Sequence, residues 1–333
     1  MKTMGSASLA VVVATVLSAC SGGSDSSPQT APLTLQVTDA PIDLTEIDAV
    51  CIAFNRITVH YAGQEEVTLE YNPLASQVND ETHCLTGTVW DGLPPVPPVR
   101  LSALGGSLTV ALAESLLVPV GRITWVRLHF TDNSYVLDNT GGEHPLLCPS
   151  CEPTDNNTGR GFKLNRTFEV ASGGLALTID VDLLKSLHED STGYVLRPTA
   201  RVENTAALGT IAGTVDEALV GSTYDGLTTE TGCAVYVYEG HGITPDDHYA
   251  NSPVFSTARV RYTDLLGDLA SRYAAGALPG GTAAQPTPYT VALTCDADDP
   301  EADDQSGAVN FTGAQDVDVV AGQTTPADFV APP

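Results

Sequence analysis

Six carboxylates crowd into nine residues at Asp296–Asp304. Hard oxygen ligands at that density suit Ca²⁺, and Asp296, Asp298, Asp299 and Glu301 are the ligand set the run offers. It lacks the glycine and spacing of an EF-hand loop, so a solvated acidic loop is the competing expectation. Two further acid pairs, Asp180/Asp182 and Asp316/Asp318, sit at i and i+2 of strand-like segments and so share a face. Opposite a second carboxylate across a cleft, such a pair would suit glycoside hydrolysis. Because Ile179, Val181, Val317 and Val319 point inward, the simpler expectation puts both pairs in solvent. Aromatic residues offer a different chemistry. Trp125, Arg127 and His129 alternate opposite Val126, Leu128 and Phe130, and Tyr236 and Tyr238 alternate opposite Val235 and Val237. A ring face beside hydrogen-bond donors suits the C–H face of a sugar, although strands favour aromatics for packing alone. His60 and Asp39 read as a strand-end polar residue and a turn-forming acid. The sequence contains no Gly-x-Ser-x-Gly, His-Glu-x-x-His, Walker A or Gly-x-Gly-x-x-Gly motif, and it is read as non-catalytic.

The elements that hold these residues are short strands. Leu33, Leu35 and Val37 alternate with Thr34, Gln36 and Thr38, the period of a half-buried strand. Thr38–Pro41 ends it in a turn. Val50, Ile52 and Phe54 share one face of the next strand, then the apolar phase slips to Ile57 and Val59, which predicts a β-bulge near Asn55–Arg56. Asn72–Val99 is long, polar and proline-rich, an insertion-like loop. Leu108, Leu112 and Leu116 fall four apart and predict a helix over Leu108–Leu117. Further alternating runs at Arg122–Phe130, Leu175–Val181 and Tyr194–Val202 complete one unit, 33–205. A second unit, 208–333, repeats the style around Ile211–Val215, Ala234–Tyr238, Tyr289–Thr294, Val309–Phe311 and Val317–Val319. The expectation is an all-β chain of two tandem β-sandwich domains with at most one or two short helices.

Charge and cysteines bound the setting. The 333 residues carry 41 Asp and Glu against 14 Lys and Arg, a net charge of −27, which repels nucleic acid. Lys2, the apolar run Leu9–Leu17 and small residues before Cys20 describe a secretory signal over residues 1–19. Leu17-Ser-Ala-Cys20 resembles the bacterial lipobox, which implies lipidation of Cys20. Ser21 at the next position implies the outer membrane, with 20–32 as lipidated Cys and tether. The remaining six cysteines read as disulfides, most simply Cys51–Cys84, Cys148–Cys151 and Cys233–Cys295. Cys51 lies between core-facing neighbours, so it points off the core and would pin the long loop to the outer side of its strand. Cys148-Pro-Ser-Cys151 precedes Glu152 rather than His, which excludes haem attachment and leaves a structural loop bridge.

The Leu33–His60 stretch, with its Thr38-Asp-Ala-Pro41 turn, resembles the opening of the bacterial domain-of-unknown-function family 4382. Val118–Leu128, Gly161–Leu164, Leu177–Ser186 and Tyr194–Glu203 resemble its later segments, so the likeness covers about 33–205. Residues 208–333 resemble the prealbumin-like, carbohydrate-binding-like sandwich of carboxypeptidase regulatory domains. The pieces that match are Gly209–Val215, Cys233–Tyr238, Leu278–Gly281 and Tyr289–Leu293. Neither family supplies a catalytic set. The resulting expectation is an envelope lipoprotein that binds glycans or cell-surface components. A structural scaffold or assembly partner in the outer membrane is the alternative, and a hydrolase is third.

Overall fold

The computed structural model of the protein describes residues 29–332 apart from 41–46, 64–65, 86–89, 93–94, 107, 154–159, 192, 222–229, 249–252, 266–267 and 297–308. The signal region, Cys20, Pro41 and the candidate ligands Asp298, Asp299 and Glu301 lie outside the described residues. Strands dominate, and the described residues include two short α-helices, Leu183–Ser186 and Glu217–Val220. Among the described residues no helix is long and apolar enough to cross a membrane.

Leu33, Leu35 and Val37 are buried in the Thr30–Ala40 strand, as their alternation requires. This strand lies in a four-stranded sheet ordered Ala200–Asn204, Leu175–Asp182, Thr30–Ala40, Val110–Pro119. It runs parallel to Leu175–Asp182 and antiparallel to Val110–Pro119. The last strand replaces the helix expected over Leu108–Leu117. A spacing of four is even as well as helical, so leucines so placed also share one side of a strand. Val110, Leu112 and Val118 are buried there.

The phase slip after Phe54 marks more than a bulge. Ile47–Ile52 pairs with Tyr135–Asp138 and Val99–Arg100, whereas Phe54–Tyr61 pairs with Gly121–Phe130 and Val67–Glu70 in another sheet. The chain changes sheets at Ala53, and the register then shifts between Phe54 and Arg56, at the bulge the sequence predicts. Val50, Ile52, Phe54, Ile57 and Val59 all enter one core with Leu33, Leu35, Val126, Leu128 and Ile179.

The second core belongs to a seven-stranded sheet. Its order is Phe311–Val319, Thr287–Thr294, Glu230–Glu239, Val254–Leu265, Asp268–Pro279, Leu208–Val215, Thr324–Pro326. Its first and last strands are consecutive in sequence, so the sheet rolls around Ile211, Val235, Val260, Val291 and Phe329. The paired strands Val254–Leu265 and Asp268–Pro279 have no counterpart in the sequence reading, since Ser256, Thr257, Arg259 and Arg261 interrupt the apolar pattern. All three disulfides form as expected. Cys51–Cys84 closes 33 residues and Cys233–Cys295 closes 62. Loops of these lengths correspond to about 4 kcal/mol each in the chain-entropy model.

The two cores meet along the outer face of the four-stranded sheet. Gly106 sits at a φ of +60°, and a Cβ added to Gly276 would lie 1.6 Å from the Gly106 carbonyl oxygen. No side chain fits this backbone-to-backbone approach. Gly276→Ala is therefore expected to lower unfolding stability by at least about 2 kcal/mol in urea titration, and an unchanged midpoint would show that the approach is not required.

Candidate functional site

Breaking the strand at Ala53 leaves backbone groups that must pair elsewhere. Ala53 N–H donates to Ser134 Oγ at 3.0 Å, and the Ala53 carbonyl accepts from Thr131 N–H at 2.9 Å. Ser134 Oγ donates in turn to the Thr131 carbonyl at 2.9 Å. One hydroxyl thus braces both sides of the corner. Tyr71 N–H donates to the Asn55 carbonyl at 2.9 Å, which ties in the end of the Val67–Glu70 strand.

Above this corner lies an open cleft of about 860 Å³. Ala53, Phe54, Asn55 and Glu70–Asn72 line one side; Thr131, Asn133, Tyr135 and Glu143 line another. The facing wall is the long loop itself, through Cys84, Leu85, Trp90 and Pro95–Pro98. Trp90 and Tyr135 are half-buried, and Phe54 meets Tyr71 edge-on at 6.5 Å. Asn55 lines the cleft, and its Oδ1 is buried without a hydrogen-bond partner.

Several contacts fix the loop in place. Besides the Cys51–Cys84 bridge, Cys84 N–H donates to the Pro98 carbonyl at 2.8 Å and Arg100 N–H to the Thr82 carbonyl at 2.9 Å. Cys51 is buried yet stands outside the main core cluster, on the off-core side its neighbours imply. Beneath the loop, His83 Nε2 lies 3.1 Å from the Tyr71 hydroxyl and Nδ1 lies 2.9 Å from Thr82 Oγ1. Burial holds His83 down to about 4, so the imidazole is neutral and bonds through both nitrogens.

The aromatic sets named from the sequence do not form open faces. Tyr236 and Tyr238 are buried in a satellite cluster with Val254, Ile243 and Phe311. Tyr238 Oη donates to the Asp246 carbonyl at 2.7 Å. Alternation placed both rings correctly on the side opposite Val235 and Val237, but the 240–248 segment covers that side. His129 is buried too, with Nε2 2.9 Å from Thr58 Oγ1. Trp125 has one face stacked on His60 at 4.9 Å, while Lys163 Nζ and the Arg127 guanidinium lie over its ring at 4.6 and 5.2 Å. Its ring is occupied by its neighbours rather than offered to a sugar.

Asp180 and Asp182 also depart from expectation, being buried, as is Asp39. Their strand face is the one the second core covers. Asp180 pairs with Arg201, whose Nη1 donates to the Phe255 carbonyl at 2.8 Å and whose guanidinium lies 4.0 Å over the Phe255 ring. Asp182 Oδ2 lies 3.3 Å from His248 Nε2 and 3.7 Å from Lys185 Nζ, and Lys185 Nζ donates to the Val254 carbonyl at 2.9 Å. Asp39 Oδ1 accepts from Leu183 N–H at 3.1 Å. These acids join the two cores instead of facing a substrate. Asp316 and Asp318 do lie exposed as expected: Asp316 accepts from Gly242 N–H and Thr290 Oγ1, and Asp318 lies 3.2 Å from His241. Asp296 accepts from Asn310 N–H and Nδ2 at 2.8 and 2.7 Å. Among the described residues no group of three or more His, Cys, Asp or Glu is placed to hold a metal ion.

The cleft residues were not singled out from the sequence because they come from four separated segments. A usable signal was present: a tryptophan inside a proline-rich loop that a cysteine pair ties down. The profile of a family described as Domain of unknown function (DUF4382) matches residues 30–198. No curated protein matches the chain. Among solved structures, the Bacillus anthracis TIE protein aligns with 89% of this chain and 33% of its own length, at 9% identity and a TM-score of 0.18. A protein described as a cell adhesion protein of Bacteroides fragilis aligns over 89% of this chain and 91% of its own, at 9% identity and a TM-score of 0.22. One described as an adhesin of Bacteroides ovatus covers 96% and 95%, at 10% identity and a TM-score of 0.20. Likeness at this level says nothing of a shared ligand or partner.

The buried acids make stability depend on pH with a defined sign. Burial pushes Asp180 up to about 6 against the pull of Arg201, and burial together with Asp180 raises Asp39 as well. Both favour the folded state at lower pH, and that advantage fades as pH rises through the Asp180 value. Burial also acts to raise Asp182, but the bonds from His248 and Lys185 outweigh it and hold the group below its ordinary value. Its contribution is present above about pH 4 and is lost on further acidification. Stability by urea titration is expected to peak near pH 4 and to fall as pH rises through about 6, and Asp180→Asn should flatten that fall. A wild-type profile that rises steadily to pH 8 would contradict this assignment.

Proposed function

The chain belongs to the DUF4382 family, whose description states no activity, and from that premise we propose that it is a non-catalytic glycan-binding module of the bacterial envelope, with the loop-walled cleft as its binding site. The observation that carries this reading is the cleft itself. Half-buried Trp90 and Tyr135 stand beside three side-chain amides, Asn55, Asn72 and Asn133, and the Thr131 hydroxyl. Ring faces take up the C–H surface of a sugar, and amides donate and accept toward neighbouring hydroxyls. Its volume falls within the range of about 300–1,000 Å³ typical of small-ligand sites.

A catalytic reading is less well supported. The cleft has two carboxylates, Glu70 and Glu143, and both are exposed. A glycosidase pair needs one carboxyl desolvated enough to stay protonated near neutral pH. Asp180 and Asp182, the acids of the hydrolase expectation, are engaged with Arg201, Lys185 and His248.

Lipidation at Cys20 and an outer-membrane location complete the proposal, supported by the signal-like leader and the small-residue approach to that cysteine. The tether expected over 20–32 is shorter than that, since Thr30–Pro32 already pair with Leu117–Pro119 in the core strand. The residues between Cys20 and that strand would hold the module clear of the lipid surface.

Binding is expected on a glycan array, and Trp90→Ala with Tyr135→Ala should weaken it at least tenfold while Trp125→Ala leaves it unchanged. Loss of binding on Trp125→Ala alone, or retention in the Trp90/Tyr135 pair, would move the site elsewhere.

A further inference from the structure

The walls of the cleft carry charge of one sign. Among the described residues, its lining includes Glu70 and Glu143 but no lysine, arginine or histidine. Exposed Asp132 lies between the lining residues Thr131 and Asn133, and exposed Asp91 follows Trp90. The surrounding basic side chains have other positions or partners. Arg100 pairs with Asp48 at 3.2 Å, His144 pairs with Asp138 at 2.7 Å, and His83 is buried and neutral under the loop. Arg56 adjoins Asn55 in sequence but is not among the lining residues.

We infer that the cleft selects uncharged saccharides and rejects their uronate-, sialate- and sulfate-bearing counterparts. This rests on the reading of the cleft as a glycan site and goes on to assign the class of glycan. The two carboxylates accept hydrogen bonds from sugar hydroxyls, as the amides also do, so a neutral polyol finds donors and acceptors along the cleft. An anionic sugar brings a like charge into a partly enclosed, aromatic-walled space, where screening by solvent is weaker than on an open surface. Among the described residues no cation lines the wall to compensate it. The field of Glu143 already reaches the aromatic wall: burial, and after it the Glu143 carboxylate, pushes the Tyr135 phenol upward. The chain's −27 charge adds a long-range bias of the same sign.

A basic peptide would also meet favourable charge here. Against it, three amides and a threonine are more hydrogen-bonding surface than an ammonium or guanidinium group can use, since those groups only donate.

The test uses the full chain against neutral cello-, xylo- and manno-oligosaccharides, oligogalacturonates, sulfated and sialylated oligosaccharides, and an Arg/Lys-rich peptide, with affinity read by calorimetry. Neutral sugars should bind in a Trp90-dependent way and acidic ones at least tenfold more weakly at low salt. That gap should narrow in 0.5 M salt, by roughly the screening expected of a short Debye length. Glu70→Gln with Glu143→Gln should close most of it, and an unchanged thermal midpoint would show the double variant to be folded. Acidic sugars that bind as well as neutral ones, with Trp90 dependence kept, would overturn the charge selection while leaving the glycan reading in place. Trp90-dependent binding of the basic peptide alone, or no binding by any probe, would overturn both.

Discussion

At Ala53 a single apolar run has to serve two sheets, and the cleft exists because of how that break is stabilised. A strand that leaves its sheet exposes a donor and an acceptor, and burying them unpaired would cost a few kcal/mol, roughly the loss of one good core contact. Ser134 and Thr131 satisfy them from the turn that follows Gly121–Phe130. That turn therefore cannot drift from the corner, and the residues around it, Thr131, Asn133 and Tyr135, are fixed as one side of the cleft. The opposite wall is positioned by an independent device, the Cys51 bridge to Cys84. Cys51 is buried on the off-core side of the strand that ends at the same corner. Both walls are thus referred to one short piece of backbone.

What periodicity can and cannot reveal is visible in Tyr236, Tyr238, Asp180 and Asp182. In each case alternation gave the side of the strand correctly, because side-chain direction follows from local backbone geometry. It did not give what lies over that side, which depends on where distant segments pack. The 240–248 segment covers the tyrosines, and the second core covers the acids. Leu108, Leu112 and Leu116 show a different ambiguity, since intervals of four satisfy both a helix and a strand. The three disulfides were legible because an even count in a chain read as exported, taken with strand phase, leaves few sensible pairings. The cleft was not, since its residues are brought together only by the corner and the loop.

The junction between the two cores is polar where most core contacts are apolar. Arg201 and Lys185 each join a carboxylate on their own side to a main-chain carbonyl on the other, at Phe255 and Val254. Such contacts are directional, so they fix orientation more than they add net stability, given the cost of desolvating charge. The close approach of Gly106 to Gly276 fixes distance along the same junction. Orientation and separation of the two cores are therefore set by separate groups, and neither set overlaps the cleft.

That separation bears on how such a protein changes over generations. The loop is held at Cys84 and again at Pro98–Arg100, while Leu85, Trp90 and Pro95 between those points line the cleft without joining either core. If the cleft binds as proposed, substitutions there would alter what is recognised at little cost to folding, whereas the corner and the junction tolerate few. On that reading a lineage carrying this fold would diversify its ligands through one short stretch of sequence and inherit the rest of the molecule unchanged.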